Sequence, residues 1–155
     1  MQPETIKSDS TSTTTKKPKG TGLKYVPAGV NLIPRYLIEQ IKGIDFDIDK
    51  FYQLAPVIEK NPFNFIGLFI DKGNKVQGFM WSTYNPLSDH LFVNMLSVEK
   101  EYQRLGIIKE CIGICKKILK GIGSCGNISA KTTRPKAFSK YGFKESKQVI
   151  VDYEG

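Results

Sequence analysis

Residues 91–98 read Leu-Phe-Val-Asn-Met-Leu-Ser-Val, apolar on both faces, as in a strand at the centre of a sheet covered on each side. Residues 99–105 lead from it to Gly106. From there to about Lys120, Ile107, Ile108, Cys111, Ile112, Ile114, Cys115, Ile118 and Leu119 recur at helical spacing as one broad stripe. A buried strand delivered straight into an amphipathic helix calls for a layered fold, with the helix packed on the sheet. The rest of the chain must be built around that unit.

Upstream, Ile33-Pro34 precedes Tyr36, Leu37, Ile38 and Ile41, which predicts a first helix behind a proline that a helix tolerates at its start. Carboxylates within residues 45–49 stand as capping groups ahead of Phe51, Leu54, Val57 and Ile58, predicting a second helix that Asn61-Pro62 stops. Residues 63–71 and 76–84 are aromatic and β-branched runs flanking Lys72-Gly73-Asn74-Lys75, the pattern of a β-hairpin. Downstream, residues 121–126 break the long helix and residues 127–133 alternate as a short strand. Residues 135–141 suit a short helix closed by Gly142, and residues 143–153 follow as a last strand. The order of elements is that of an α/β (α+β) fold, and 155 residues with 40% apolar side chains suffice for one domain.

Residues 1–24 differ from the remainder. They are rich in Ser and Thr, contain the run Lys16-Lys17-Pro18-Lys19, and hold too little apolar surface to offset the entropy of ordering. A disordered basic arm is expected there, with the folded domain spanning 25–155. No apolar run approaches the roughly 20 residues of a membrane-spanning helix, and the N-terminus lacks the apolar core of a secretory signal. A cytoplasmic location, or one within a virion, is expected, with no membrane partner. Cys111, Cys115 and Cys125 are too few to staple a fold and are expected as thiols, the first two as core packing. With one histidine in the chain, no Cys/His metal spacing exists.

The formal net charge is +8, and residues 103–147 alone hold eleven basic and two acidic side chains. That concentration favours a partner bearing phosphates or another anionic group. In the same stretch the main-chain N–H groups of residues 103–108 open the long helix, where unpaired donors and the helix dipole attract phosphate. Gly106 lets the chain turn and an anion approach the main chain, while Arg104 and Lys109 add direct charge.

Gln103-Arg104-Leu105-Gly106-Ile107-Ile108, placed after an apolar strand, resembles the Gln/Arg-x-x-Gly-x-Gly/Ala loop of the GNAT superfamily of N-acetyltransferases. Ala137-Phe138-Ser139-Lys140-Tyr141-Gly142-Phe143 is similar, in shortened form, to that family's Ala-x-x-x-Tyr-x-x-x-Gly-Phe ending. The order of elements fits from about Val30 to Tyr153. The resemblance implies the acyl-CoA N-acyltransferase fold, a central mixed and mostly antiparallel sheet flanked by helices. It further implies acetyl-CoA as cosubstrate, a primary amine as acceptor, and no metal. A strand bulge at Leu96, Ser97 and Val98 would receive the acetyl carbonyl on its free N–H groups. The amides of Gln103, Arg104, Leu105, Gly106, Ile107 and Ile108, with Lys109 beside them, would hold the pyrophosphate.

The sequence departs from the family pattern at three positions. Ile108 stands in place of the loop's last Gly/Ala, Phe138 where many members have a tyrosine acid, and Phe92 where some have a glutamate base. The catalytic candidates are then His90, the side chain suited by its ordinary pKa to base work near neutrality, and the nearby hydroxyl of Tyr141. By period two, His90, Phe92, Asn94 and Leu96 are expected on one face of the central strand. Two readings stand: an acetyltransferase, or a noncatalytic module of the same fold that contacts nucleic acid or a larger assembly such as a virus particle through its basic C-terminal half and arm. Nothing in residues 32–60 or 143–153 marks a particular acceptor.

Overall fold

The computed structural model describes residues 20–43, 45–132, 135–146, 151 and 153. Strands β1 (Lys24–Pro27), β2 (Asn64–Ile70), β3 (Val76–Asn85), β4 (His90–Val98) and β5 (Asn127–Ala130) form one sheet in that order. The helices are α1 (Arg35–Glu39), α2 (Ile48–Gln53), α3 (Ala55–Lys60), α4 (Ile107–Ile122) and α5 (Pro135–Ser139). Strands β1 to β4 are antiparallel neighbours, whereas β5 is parallel to β4 because the chain crosses over through α4 before returning. This is the expected mostly antiparallel sheet flanked by helices.

Each face of the sheet carries its own core. On one, Leu37, Ile38, Phe51 and Ala55 from the first three helices pack against Ile66, Leu68, Phe79 and Met95. On the other, the i, i+4 stripe Ile107, Cys111, Cys115 and Leu119 of α4 packs against Phe69, Met80, Leu91 and Val93. Cys111 and Cys115 are therefore core groups, and burial pushes the Cys115 thiol up to about 11. The β2–β3 turn forms at Lys72-Gly73-Asn74-Lys75 as expected, with Asp71 Oδ1 accepting from the amides of Gly73 (2.8 Å) and Lys75 (2.9 Å).

Several elements differ from the sequence reading. β1 is a strand the sequence reading does not contain, and upstream of it the Thr21 amide and hydroxyl donate to the Glu110 carboxylate at 2.7 and 2.6 Å. The expected second helix is two helices meeting at Leu54. Pro56 has no N–H to give to the turn before it, and its ring crowds that turn, so the helix restarts. The long helix runs past Gly121 and stops at Gly123, whose φ of 87° closes it in the left-handed region. Residues 143–146 are irregular rather than the start of a last strand, and residues 147–150 of that segment lie outside the described residues, as do residues 1–19 of the arm. β5 ends at Ala130. Among the described residues no helix is long and apolar enough to cross a membrane.

Candidate active site

The register between β3 and β4 slips where Trp81 pairs with Met95 and Ser82 with Val93, so Asn94 is an extra residue and β4 bulges there. The bulge lies two positions upstream of where the family resemblance puts it, and it reverses the alternation of side chains. Before it, Leu91 and Val93 face α4; after it, Leu96 and Val98 do, while Met95 turns to the core under α1 to α3. Leu96 consequently does not share a face with His90 and Phe92, because one inserted residue shifts every later side chain by half a period.

Beyond the bulge the phase of the ladder is fixed by Glu99, whose amide donates to Gln77 O at 2.8 Å. Alternation then turns the main-chain groups of Met95 and Ser97 toward β3, and those of Leu96 and Val98 toward the opposite edge. Val98 O bears this out, since it accepts from Gln103 Nε2 at 3.1 Å on that side. Among the described residues that edge has no strand beside it. β5 pairs with β4 only from His90↔Asn127 to Val93↔Ala130 and ends there, while β4 runs on to Val98. A cleft of about 500 Å³ opens beside that edge.

The cleft passes from one face of the sheet to the other. Leu96, Val98, Ile107, Ile108 and Ala130 line it from the α4 core, and Ile41, Trp81 and Met95 from the core beneath α1 to α3. At its α4 end a 3₁₀ turn (Lys100–Tyr102) leads to Gly106, which adopts φ 88° as the residue before the first helical turn. A Cβ built on Gly106 meets no atom within 4 Å, so the glycine answers to backbone conformation and leaves open space at the helix start. The amides of Gln103 and Leu105 are engaged with Lys100 O and Tyr102 O, both at 3.2 Å. The first intrahelical bond runs from the Glu110 amide to Gly106 O at 3.2 Å, which leaves the amides of Gly106, Ile107, Ile108 and Lys109 without a carbonyl inside the helix. An anion at this terminus would meet those four donors and the positive end of the α4 dipole.

Of the residues predicted for cofactor contact, Leu96, Ser97, Val98, Gln103, Ile107 and Ile108 line the cleft together. Arg104, Leu105, Gly106 and Lys109 belong to the loop and first turn at its mouth, with Arg104 and Lys109 exposed. Ile108 is half-buried against the α4 core and forms part of the wall. His90 and Tyr141 are not brought into the cleft. His90 lies on the paired half of β4, its ring stacked on Phe92 (centroids 5.5 Å apart) and its Nδ1 2.9 Å from Ser88 O. Tyr141 is 40% exposed in the turn after α5, while Phe138 from α5 lines the cleft in its stead.

Sequence reasoning missed the other end of the cleft, built by Asp45 and Phe46 from the α1–α2 connection and by Trp81 and Asn94 from the sheet. By sequence alone Asp45 is one of several capping carboxylates. The cap is Asp47, whose side chain accepts from the Lys50 amide at 3.2 Å, and Asp49 pairs with Arg35 at 2.5 Å. The available signal was the surplus of carboxylates over helix starts.

No family model matches the sequence, and no curated protein matches it. Solved structures do match its fold. A possible acetyltransferase from Clostridium difficile 630 superposes with a TM-score of 0.64 at 16% identity, over 86% of this chain and 97% of that one. The aminoglycoside N-acetyltransferase AAC(6')-Iy in complex with CoA gives 0.68 at 16% identity, over 88% and 97%. The aminoglycoside 6'-N-acetyltransferase AAC(6')-Ih from Acinetobacter baumannii gives 0.66 at 13% identity, over 86% and 99%. The chain therefore has the fold of the GNAT acetyltransferases.

Proposed function

We propose that the chain is an acetyl-CoA-dependent N-acetyltransferase acting on a primary amine. The observation that carries this reading is the end of β5 at Ala130 while β4 runs on to Val98, which leaves the outer edge of Leu96 and Val98 without a strand, beside the cleft and the helix start, among the described residues. The AAC(6')-Iy neighbour, crystallised with CoA, supports it at the level of the fold. Acetyl-CoA supplies an activated thioester. The free amides of Gly106, Ile107, Ile108 and Lys109 would hold its pyrophosphate, with Arg104 and Lys109 adding charge at the mouth. The Leu96 N–H, turned to the edge that borders the cleft, would stabilise negative charge that develops on a carbonyl oxygen there. Phe138 donates no proton, so as the N–C bond forms and the C–S bond breaks the departing thiolate would take its proton from solvent or from the attacking nitrogen, which loses one in becoming the amide.

Calorimetric titration with acetyl-CoA, followed by a thiol-release assay over a panel of primary amines, tests the proposal. Saturable binding and amine-dependent thiol release are expected; the absence of both heat and thermal shift would remove it. The second reading, a noncatalytic module for nucleic acid or a larger assembly, is favoured by Phe138 at the place of a proton donor and by the positive charge of residues 103–147. It requires DNA or RNA binding that weakens steeply with salt.

A further inference from the structure

Resting on the acetyltransferase reading, we propose that the acceptor is a small monoamine carried on an apolar, planar group, its ammonium held by Asp45 and Asn94. The end of the cleft beneath α1 and α2 is walled by Ile41, Phe46, Trp81 and Met95. Its rings are set in place from below. Buried Phe51 packs edge-on to Phe46 at 5.7 Å and tilted against Trp81 at 5.3 Å. Trp81 Nε1 donates to Asn64 Oδ1 at 3.1 Å, which commits the indole's donor and leaves ring surface toward the cleft. Such a wall suits the face of an aromatic or aliphatic group.

Two acceptors stand at that wall. Asn94, on the bulge, donates Nδ2 to Thr83 Oγ1 at 2.7 Å, and Thr83 passes its own proton to Asn64 Oδ1 at 2.6 Å. That chain fixes the Asn94 amide so that Oδ1 remains to accept from an ammonium. Asp45 is the carboxylate of the lining among the described residues, and neither the α2 cap nor Arg35 uses it. The lining also holds Lys42 and Lys131, so its charged side chains sum to a positive value. A polycationic sugar needs several carboxylates and many hydroxyl partners; one carboxylate among two lysines and four apolar side chains fits a single ammonium on an apolar body.

The test is a thiol-release assay on the full chain with acetyl-CoA and either phenethylamine or neamine, alongside calorimetry with acetyl-CoA alone. Phenethylamine should be acetylated with kcat/KM at least about tenfold above neamine. Asp45→Asn should raise KM for phenethylamine about tenfold with kcat changed less, and leave acetyl-CoA affinity intact. Asp45→Glu should recover part of the loss. Preference for neamine, failure to acetylate phenethylamine while acetyl-CoA binds, or an unchanged KM in Asp45→Asn would each overturn this proposal and leave the acetyltransferase reading standing. Failure of acetyl-CoA to bind would overturn both.

Discussion

The two halves of β4 have nearly the same composition and opposite uses. From His90 to Val93 the strand is hydrogen-bonded on both edges, to β3 and to β5, and its alternate side chains Leu91 and Val93 sit in the core under α4. From Asn94 to Val98 it keeps β3 and loses β5, and its free edge faces the cleft. Nothing in hydrophobicity separates Leu91-Phe92-Val93 from Met95-Leu96. What separates them is the single residue Asn94, which reverses the facing of side chains, together with the ladder that stops. In the proposed reading, the cosubstrate would use the backbone donors left over in the open half.

The sharpest way to break that comparison is to remove amide protons one at a time from the open half. Ser97→Pro removes an N–H turned toward β3 and should cost about 3 kcal/mol or more, seen as a large fall in Tm. Leu96→Pro removes an N–H turned to the free edge. It should keep the fold by circular dichroism while acetyl transfer drops about 10²- to 10³-fold. Equal stability losses in the two variants would show that the ladder phase is misassigned.

Next in size is the helix start. Gly106→Val forces a β-branched residue into φ 88°, at a local strain of about 1–3 kcal/mol, and should weaken acetyl-CoA binding at least about tenfold by calorimetry. A variant with unchanged affinity would remove Gly106 from the anion site.

On the paired half, Asp89 ties the start of β4 to β5. Its carboxylate accepts from the Ser124 and Tyr84 hydroxyls and its carbonyl from the Asn127 amide at 3.0 Å. The Ser124 bond first, then the Tyr84 bond, hold its carboxyl below the ordinary 3.8. Because the folded pKa is the lower one, this stabilisation is present above the unfolded value and is lost as pH falls through the folded value. Asp89→Asn should therefore lower Tm near neutrality, with the gap to the parent closing below about pH 4; a gap that persists in acid would contradict the assignment. The smallest effect is expected at Ser82, opposite Val93. Its hydroxyl is buried and, among the described residues, finds no hydrogen-bond partner, so Ser82→Ala should leave Tm unchanged or raise it by up to about 1 kcal/mol in stability.

The unit from the central strand to the long helix was legible because each piece has its own signal: an unbroken apolar run, a glycine, and a stripe at period 3.6. β1 was not, since Tyr25 and Val26 alone mark it between a lysine-rich segment and Pro27, and its stability comes from pairing with β2. The bulge left no trace in composition. A run apolar on both faces conceals its own phase, so Leu96 could not be moved to the α4 side by reading period two. The Asp45 end of the cleft depends on which of Asp45, Asp47 and Asp49 caps α2, a choice made by local backbone geometry rather than by residue type. His90 was singled out for its chemistry, and the pairing of β4 with β5 carries it away from the cleft.

The most direct test of the whole account is to follow backbone amide resonances of the isotope-labelled chain during titration with acetyl-CoA. Leu96, Val98 and the run from Gly106 to Lys109 should shift together and saturate, while Leu91 and Val93 remain still. Saturating shifts confined to the exposed lysines, or none in the Leu96 and Gly106 amides, would contradict it.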